Sequence, residues 1–155
     1  MGLDQKIIRV SDDNLAEFSE LIRLYAQAWA NDDDDAAEKY DERIYELIVR
    51  SKATVWDGRK ENHVHRWVCA ASGRESTNLD YVRIDPAVLL GDLKKVVANH
   101  ARAGEVMPTD VGFFFGSVAY DEHYFNSVKR LYEVLLAEKT EGCFKKYSYF
   151  YWSWW

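Results

Sequence analysis

Three consecutive phenylalanines between two glycines, Gly112-Phe113-Phe114-Phe115-Gly116, constrain this chain more tightly than any other stretch. Three large aromatic rings in a row are costly in water and unsuited to a surface loop, so the run predicts a short strand buried on both faces. Met107-Pro108-Thr109-Asp110 leads into it, and Ser117 and Tyr120-Asp121-Glu122 follow. Two acids at that point favour the first turn of a helix, which the spacing of Tyr124, Val128, Leu131 and Leu135 carries to about Lys139.

A strand of this kind needs a substantial core, and 155 residues suffice for one domain burying about 70% of its unfolded surface. The pattern before and after it supplies the partners. Lys6-Ile7-Ile8-Arg9-Val10 is a β-prone run, and Ser11 caps a helix whose Leu15, Phe18, Ile22, Tyr25 and Trp29 share a face. Asn31 and Asp32 to Asp35 interrupt it. Asp35 and Glu38 have capping-box spacing for a second helix that turns Ala37, Tyr40, Ile44, Leu47 and Ile48 inward, so the first fifty residues predict a strand followed by an α-hairpin.

Ala53 to Trp56 predict a brief strand ended by the turn signal Asp57-Gly58, and Arg59 to Ser72 predict a helix with Val64, Trp67, Val68 and Ala71 inward. Leu79 to Ile84 alternate as a half-buried strand does. Asp85 as N-cap and Pro86 at the first position open a further helix, with Leu89, Leu90, Leu93, Val96 and Val97 inward and Gly104 as its stop. From Phe144 to Trp155 strand formers run without a breaker; Tyr147, Tyr149 and Tyr151 point one way and Phe150, Trp152 and Trp154 the other. The expected fold class is therefore α+β: about five helices on a small mixed or antiparallel sheet built from the runs at Ile7, Tyr81, Phe114 and Tyr149, with Val55 at an edge.

Charge narrows the function classes. Of the net −6, thirteen acids against six bases place −7 in the first fifty residues. That balance argues against general nucleic-acid binding, which needs a basic footprint. No apolar run reaches the ~20 residues of a bilayer span, and the N-terminus lacks the apolar core of a signal peptide, so the expectation is a cytoplasmic chain with Cys69 and Cys143 as free thiols. Asp32, Asp33, Asp34 and Asp35 lack the ligand spacing of an EF-hand and read either as a solvated turn or as an acidic contact surface. His63 and His65 sit on opposite flanks of a helix, about 200° apart, which suits partly exposed residues better than a shared metal. His65 and Cys69, four apart, are able to meet. No cofactor or metal is implied.

Two motifs carry a resemblance. Arg59-Lys60-x-Asn62-x-Val64-His65-x-Trp67, and then Met107-Pro108-Thr109 with Gly112-Phe113-Phe114-Phe115-Gly116-Ser117 and Tyr120-Asp121-Glu122-x-Tyr124-Phe125, resemble a family of small uncharacterised proteins of bacteriophages and bacteria. The likeness runs from about Arg59 to the aromatic end and leaves out the first fifty residues. Gly58, Val68 and Val118 depart from the pattern, which has an aromatic, Phe and Thr there. What the resemblance implies is a phage-type accessory protein in a bacterial host, with no catalytic mechanism attached.

Taken together, the motifs predict one cluster: Arg59, Asn62, His65, Arg66, Tyr120, Asp121, Glu122 and Tyr124 around an aromatic floor. Arg59 or Arg66 would pair with Asp121 or Glu122. Such a cluster serves either as an internal network fixing helix against strand or as a recognition rim. The leading functional expectation is a non-enzymatic protein that binds a host or defence-system protein through the acidic hairpin or an aromatic surface. A pocket for a nucleotide-like small molecule is the alternative, and a hydrolase using Asp121 or Glu122 with His65 is a third.

Overall fold

The computed structural model describes residues 2–155. Among them, four strands, β1 (Asp4–Ser11), β2 (Thr54–Arg59), β3 (Tyr81–Ile84) and β4 (Tyr147–Trp154), form one antiparallel sheet in the order β2-β1-β4-β3. Six α-helices pack on it: α1 (Asp12–Ala30), α2 (Asp34–Arg50), α3 (Asn62–Ser72), α4 (Pro86–Ala98), α5 (Ala103–Val106) and α6 (Glu122–Thr140). The fold is α+β. No helix among the described residues is long and apolar enough to cross a membrane.

Strand alternation divides the core in two. Ile8 and Val10 of β1 and Phe150 of β4 face α1 and α2, where Phe18, Leu21, Ile44 and Leu47 close over them. Ile7, Trp56, Val82, Tyr149 and Tyr151 face the other way, against α3, α4 and α6. A period of two puts successive side chains into different clusters, so both faces of the central strands are covered. The aromatic strand β4 is thereby one of the two inner strands of the sheet, flanked by β1 and β3.

Capping follows the sequence at Asp85, whose carboxylate accepts from the Ala87 and Val88 amides. Elsewhere it differs. Asp33, not Asp35, caps α2, accepting from the Ala36 amide at 3.1 Å, because Asp32 turns the chain with φ +54° one residue earlier. Asp57 and Gly58 lie inside β2 rather than in a turn, and the Trp56 ring lies over Gly58 so closely that a Cβ there would stand 2.1 Å from it. Helix α4 ends at Asn99, whose side chain accepts from the Ala101 amide, so Gly104 falls inside α5 and stops nothing. Trp29 closes the α1 stripe half-exposed rather than buried.

The largest correction concerns the phenylalanine run. It belongs to no strand; residues 107–121 form an irregular connection between α5 and α6.

Candidate functional site

The site is built outward from the junction of β2 and α3. Lys60 leaves the strand with φ +59°, and Gln5 of β1 then grips the next peptide from both sides. Gln5 Nε2 donates to the Glu61 carbonyl at 3.1 Å, and the Glu61 amide donates to Gln5 Oε1 at 2.9 Å. This fixes Asn62 at the first position of α3, facing the 107–121 connection.

Asn62 is buried and uses its whole amide. Its Nδ2 donates to the carbonyls of Phe115 at 3.0 Å and Ser117 at 2.8 Å, and its Oδ1 accepts from the Asp110 amide at 3.0 Å. The two motifs therefore meet through one side chain, which takes the place that a neighbouring strand would have held. Further bonds tie down the same loop. The Leu3 amide donates to the Phe114 carbonyl, Tyr124 Oη to the Met107 carbonyl at 2.7 Å, the Thr109 amide to Tyr120 Oη and Thr109 Oγ1 to the Val118 carbonyl.

Within this frame the glycines have conformational work rather than strand-ending roles. The Phe115 amide donates to the Gly112 carbonyl, closing a turn. The Phe115 ring folds back over Gly112, where a Cβ would stand 2.8 Å from it, and Gly116 adopts φ +86°. The three phenylalanines consequently part. Phe115 is 7% exposed, with its ring 4.9 Å from His65 and 5.5 Å from Trp155, whereas Phe113 is 96% exposed. Val111 is also largely exposed, and Val118 and Tyr120 are partly so.

Neither histidine is a border residue. His65, 1% exposed, has Nδ1 3.3 Å from Tyr151 Oη and 3.4 Å from Thr77 Oγ1, and Nε2 3.6 Å from Cys69 Sγ. Burial pushes its imidazole below the ordinary range and the Cys69 thiol above its own. The pair is neutral and sealed, unlike a thiolate–imidazolium nucleophile. His63, 3% exposed, rests against the Tyr124 ring and Ser127 Oγ, and burial, aided by the charge of His123, lowers its pKa to about 3.

The charged members of the expected cluster disperse. Arg59 extends from β2 toward Asp4 at 3.8 Å, and Arg66 donates to the Thr109 carbonyl at 3.1 Å with Asp110 at 3.9 Å. The expected pairing of Arg59 or Arg66 with Asp121 or Glu122 does not form. Asp121 instead caps α6 by accepting from the Tyr124 amide, and Glu122 is exposed in the first turn. Tyr124 is buried, and its ring supports Tyr120 from 5.0 Å. Asp32, Asp33, Asp34 and Asp35 lie at the α1–α2 connection, on the helical layer across the sheet from α3. Lys60, which stands in the first motif, lines the site as well, and Gln5 and Trp155 complete it without a signal in the sequence beyond the alternation of β1 and the aromatic run that ends at Trp155.

A recess of about 90 Å³ lies beside Asn62, lined by Lys60, His63, Ser117, Asp121 and Tyr124. Sites for drug-sized ligands occupy about 300–1,000 Å³, so this recess is small beside them. Metal donors converge at Glu138, Glu141 and Cys143, within 4.8 Å of one another. There the Arg9 guanidinium already stands 2.6 Å from Glu138 Oε1 and 3.4 Å from Cys143 Sγ, supplying the positive charge a cation would bring. No protein-family model matches the chain, and neither a curated protein nor a solved structure matches it.

Proposed function

We propose that this chain is a non-enzymatic protein-binding module that presents Phe113 on a braced loop, as a phage-type accessory protein directed at a host or defence-system protein in the bacterial cytoplasm. The observation that carries the reading is the 96% exposure of Phe113 on a loop whose base is fixed by Asn62. A single exposed apolar residue is ordinary, but here Val111, Val118 and Tyr120 of the same loop are exposed with it. Aromatic residues at the centre of an interface carry a large share of binding energy, and a fixed backbone lowers the ordering cost of using one. Asn62 and His65 support this display from within the protein, since their polar groups are engaged internally.

The test is affinity capture from bacterial lysate with the wild-type chain and with Phe113→Ser. A protein retained by the wild type and lost from a Phe113→Ser variant of unchanged Tm supports the reading. Equal retention by both chains removes the loop as the recognition element, and loss only on charge reversal of Asp32 to Asp35 transfers that role to the acidic turn.

A further inference from the structure

On the opposite side of the sheet, helices α1 and α2 cover Ile8, Val10 and Phe150 but leave part of the strands open. Lys6 of β1, Tyr81 of β3 and Trp152 of β4 line the floor of a cavity of about 340 Å³, and Asp41, Glu42 and Tyr45 of α2 form its wall. That volume lies within the range of ligand-holding sites. The strand pairing sets Tyr81 directly opposite Trp152, so the two rings lie side by side, 6.4 Å apart.

One cation already uses the aromatic floor. Lys6 Nζ lies 5.6 Å from the centroid of the Trp152 ring, a cation–π arrangement supplied by the chain itself. The wall above it is acidic, and among the described residues none of the six carboxylates of α2 (Asp34, Asp35, Glu38, Asp41, Glu42, Glu46) takes part in a close ion pair. Surrounding protein pushes the Asp41 carboxyl above the usual range, opposed by the charge of Lys6. A cation entering the groove relieves that cost.

We infer that this groove binds an arginine side chain presented by a basic partner polypeptide, with the guanidinium on the face of Trp152 and forked onto Asp41 or Glu42. Arginine meets both demands at once, since its planar guanidinium stacks on aromatic rings and pairs bidentately with carboxylates. Lys6 is the internal occupant it displaces; a lysine has four rotatable side-chain bonds and retreats to solvent at little cost. The site is separate from the Phe113 loop and stands whether or not that loop binds a protein.

The experiment is fluorescence anisotropy of the full chain with a labelled peptide of alternating arginine and glycine, beside the same peptide with citrulline for arginine. The citrulline peptide removes the charge and keeps the shape, and is expected to bind at least about tenfold more weakly. Asp41→Asn with Glu42→Gln is expected to weaken the arginine peptide by about tenfold, and Lys6→Met to tighten it by roughly threefold. Asp41 and Glu42 are exposed and Lys6 is half-buried, and an unchanged Tm of each variant separates lost binding from lost folding. A matched control, Asp34→Asn with Asp35→Asn, makes the same change of charge at the start of α2. Equal weakening by that control, indifference to citrulline, weaker binding by Lys6→Met, or no binding at millimolar peptide overturns the inference.

Discussion

At the base of the 107–121 loop, Asn62 engages three backbone groups and Phe115 packs between His65 and Trp155, whereas two residues away Phe113 contacts the neighbouring Phe114 ring and is otherwise in water. The same residue type serves opposite ends. At the base it excludes water and fixes a turn; at the tip it contributes nothing visible to the fold. Rigidity below and exposure above are what a preorganised recognition element requires.

That contrast makes stability and recognition separable by mutation. Phe115→Ala, which empties a buried site, is expected to cost about 3–5 kcal/mol. Thermal unfolding would register this as a fall in Tm of about 10 °C; a loss under about 1 kcal/mol would mean that the base is not packed as described. Asn62→Leu keeps the side-chain size but strands two carbonyls and an amide, with an expected cost of about 2–4 kcal/mol. Its sharper readout is hydrogen exchange, because the Asp110 amide loses its only acceptor and should exchange much faster.

Acid provides a third handle. With His63 lowered to about 3 in the folded chain against 6.5 unfolded, the unfolded state binds the extra proton. Stability is therefore unaffected above pH 6.5 and falls as pH drops from there toward 3, by roughly 2 kcal/mol at pH 5. Denaturant unfolding across that range should show a shallower decline for His63→Phe; an unchanged slope would place the proton uptake elsewhere.

Gly112→Ala sets a Cβ 2.8 Å from the Phe115 ring and should cost about 1–3 kcal/mol in the same unfolding assay. Smallest of all, Phe113→Ser should leave stability within about 0.5 kcal/mol, as surface substitutions do. A large loss there would show that the tip also holds the fold together and would erase the contrast.

Much of this architecture was legible in the sequence because it is periodic. The alternation of Ile7, Ile8 and Val10, of Val82 and Ile84, and of Tyr149 to Tyr151 is what the sheet uses, and the capping pair Asp85-Pro86 starts α4 where it stands. The loop is not legible in the sequence because local hydrophobicity does not say which ring is buried. Gly112 and Gly116 make a turn that sends Phe115 inward and Phe113 outward, and only the distant Asn62 closes it. His63 and His65 misled for a related reason. A helical projection places them on two flanks of α3, but α6 and β4 cover those flanks, so both become internal. Motif proximity groups Arg59 and Arg66 with Asp121 or Glu122, while the backbone aims them at Asp4 and Thr109.

The position of β4 bears on how the molecule is assembled in time. Its partner β1 precedes it by most of the chain, and Gln5 bonds Tyr151 across 146 residues. Contacts of such separation impose a large loop-closure cost before they are rewarded, so this sheet should form slowly for the size of the protein. Until β4 arrives, the β-prone edge of β1 is open to any other extended segment. Crowded or hot conditions should thus divert refolding chains into aggregates at the stage when helices are present and the inner strand β4 is still missing.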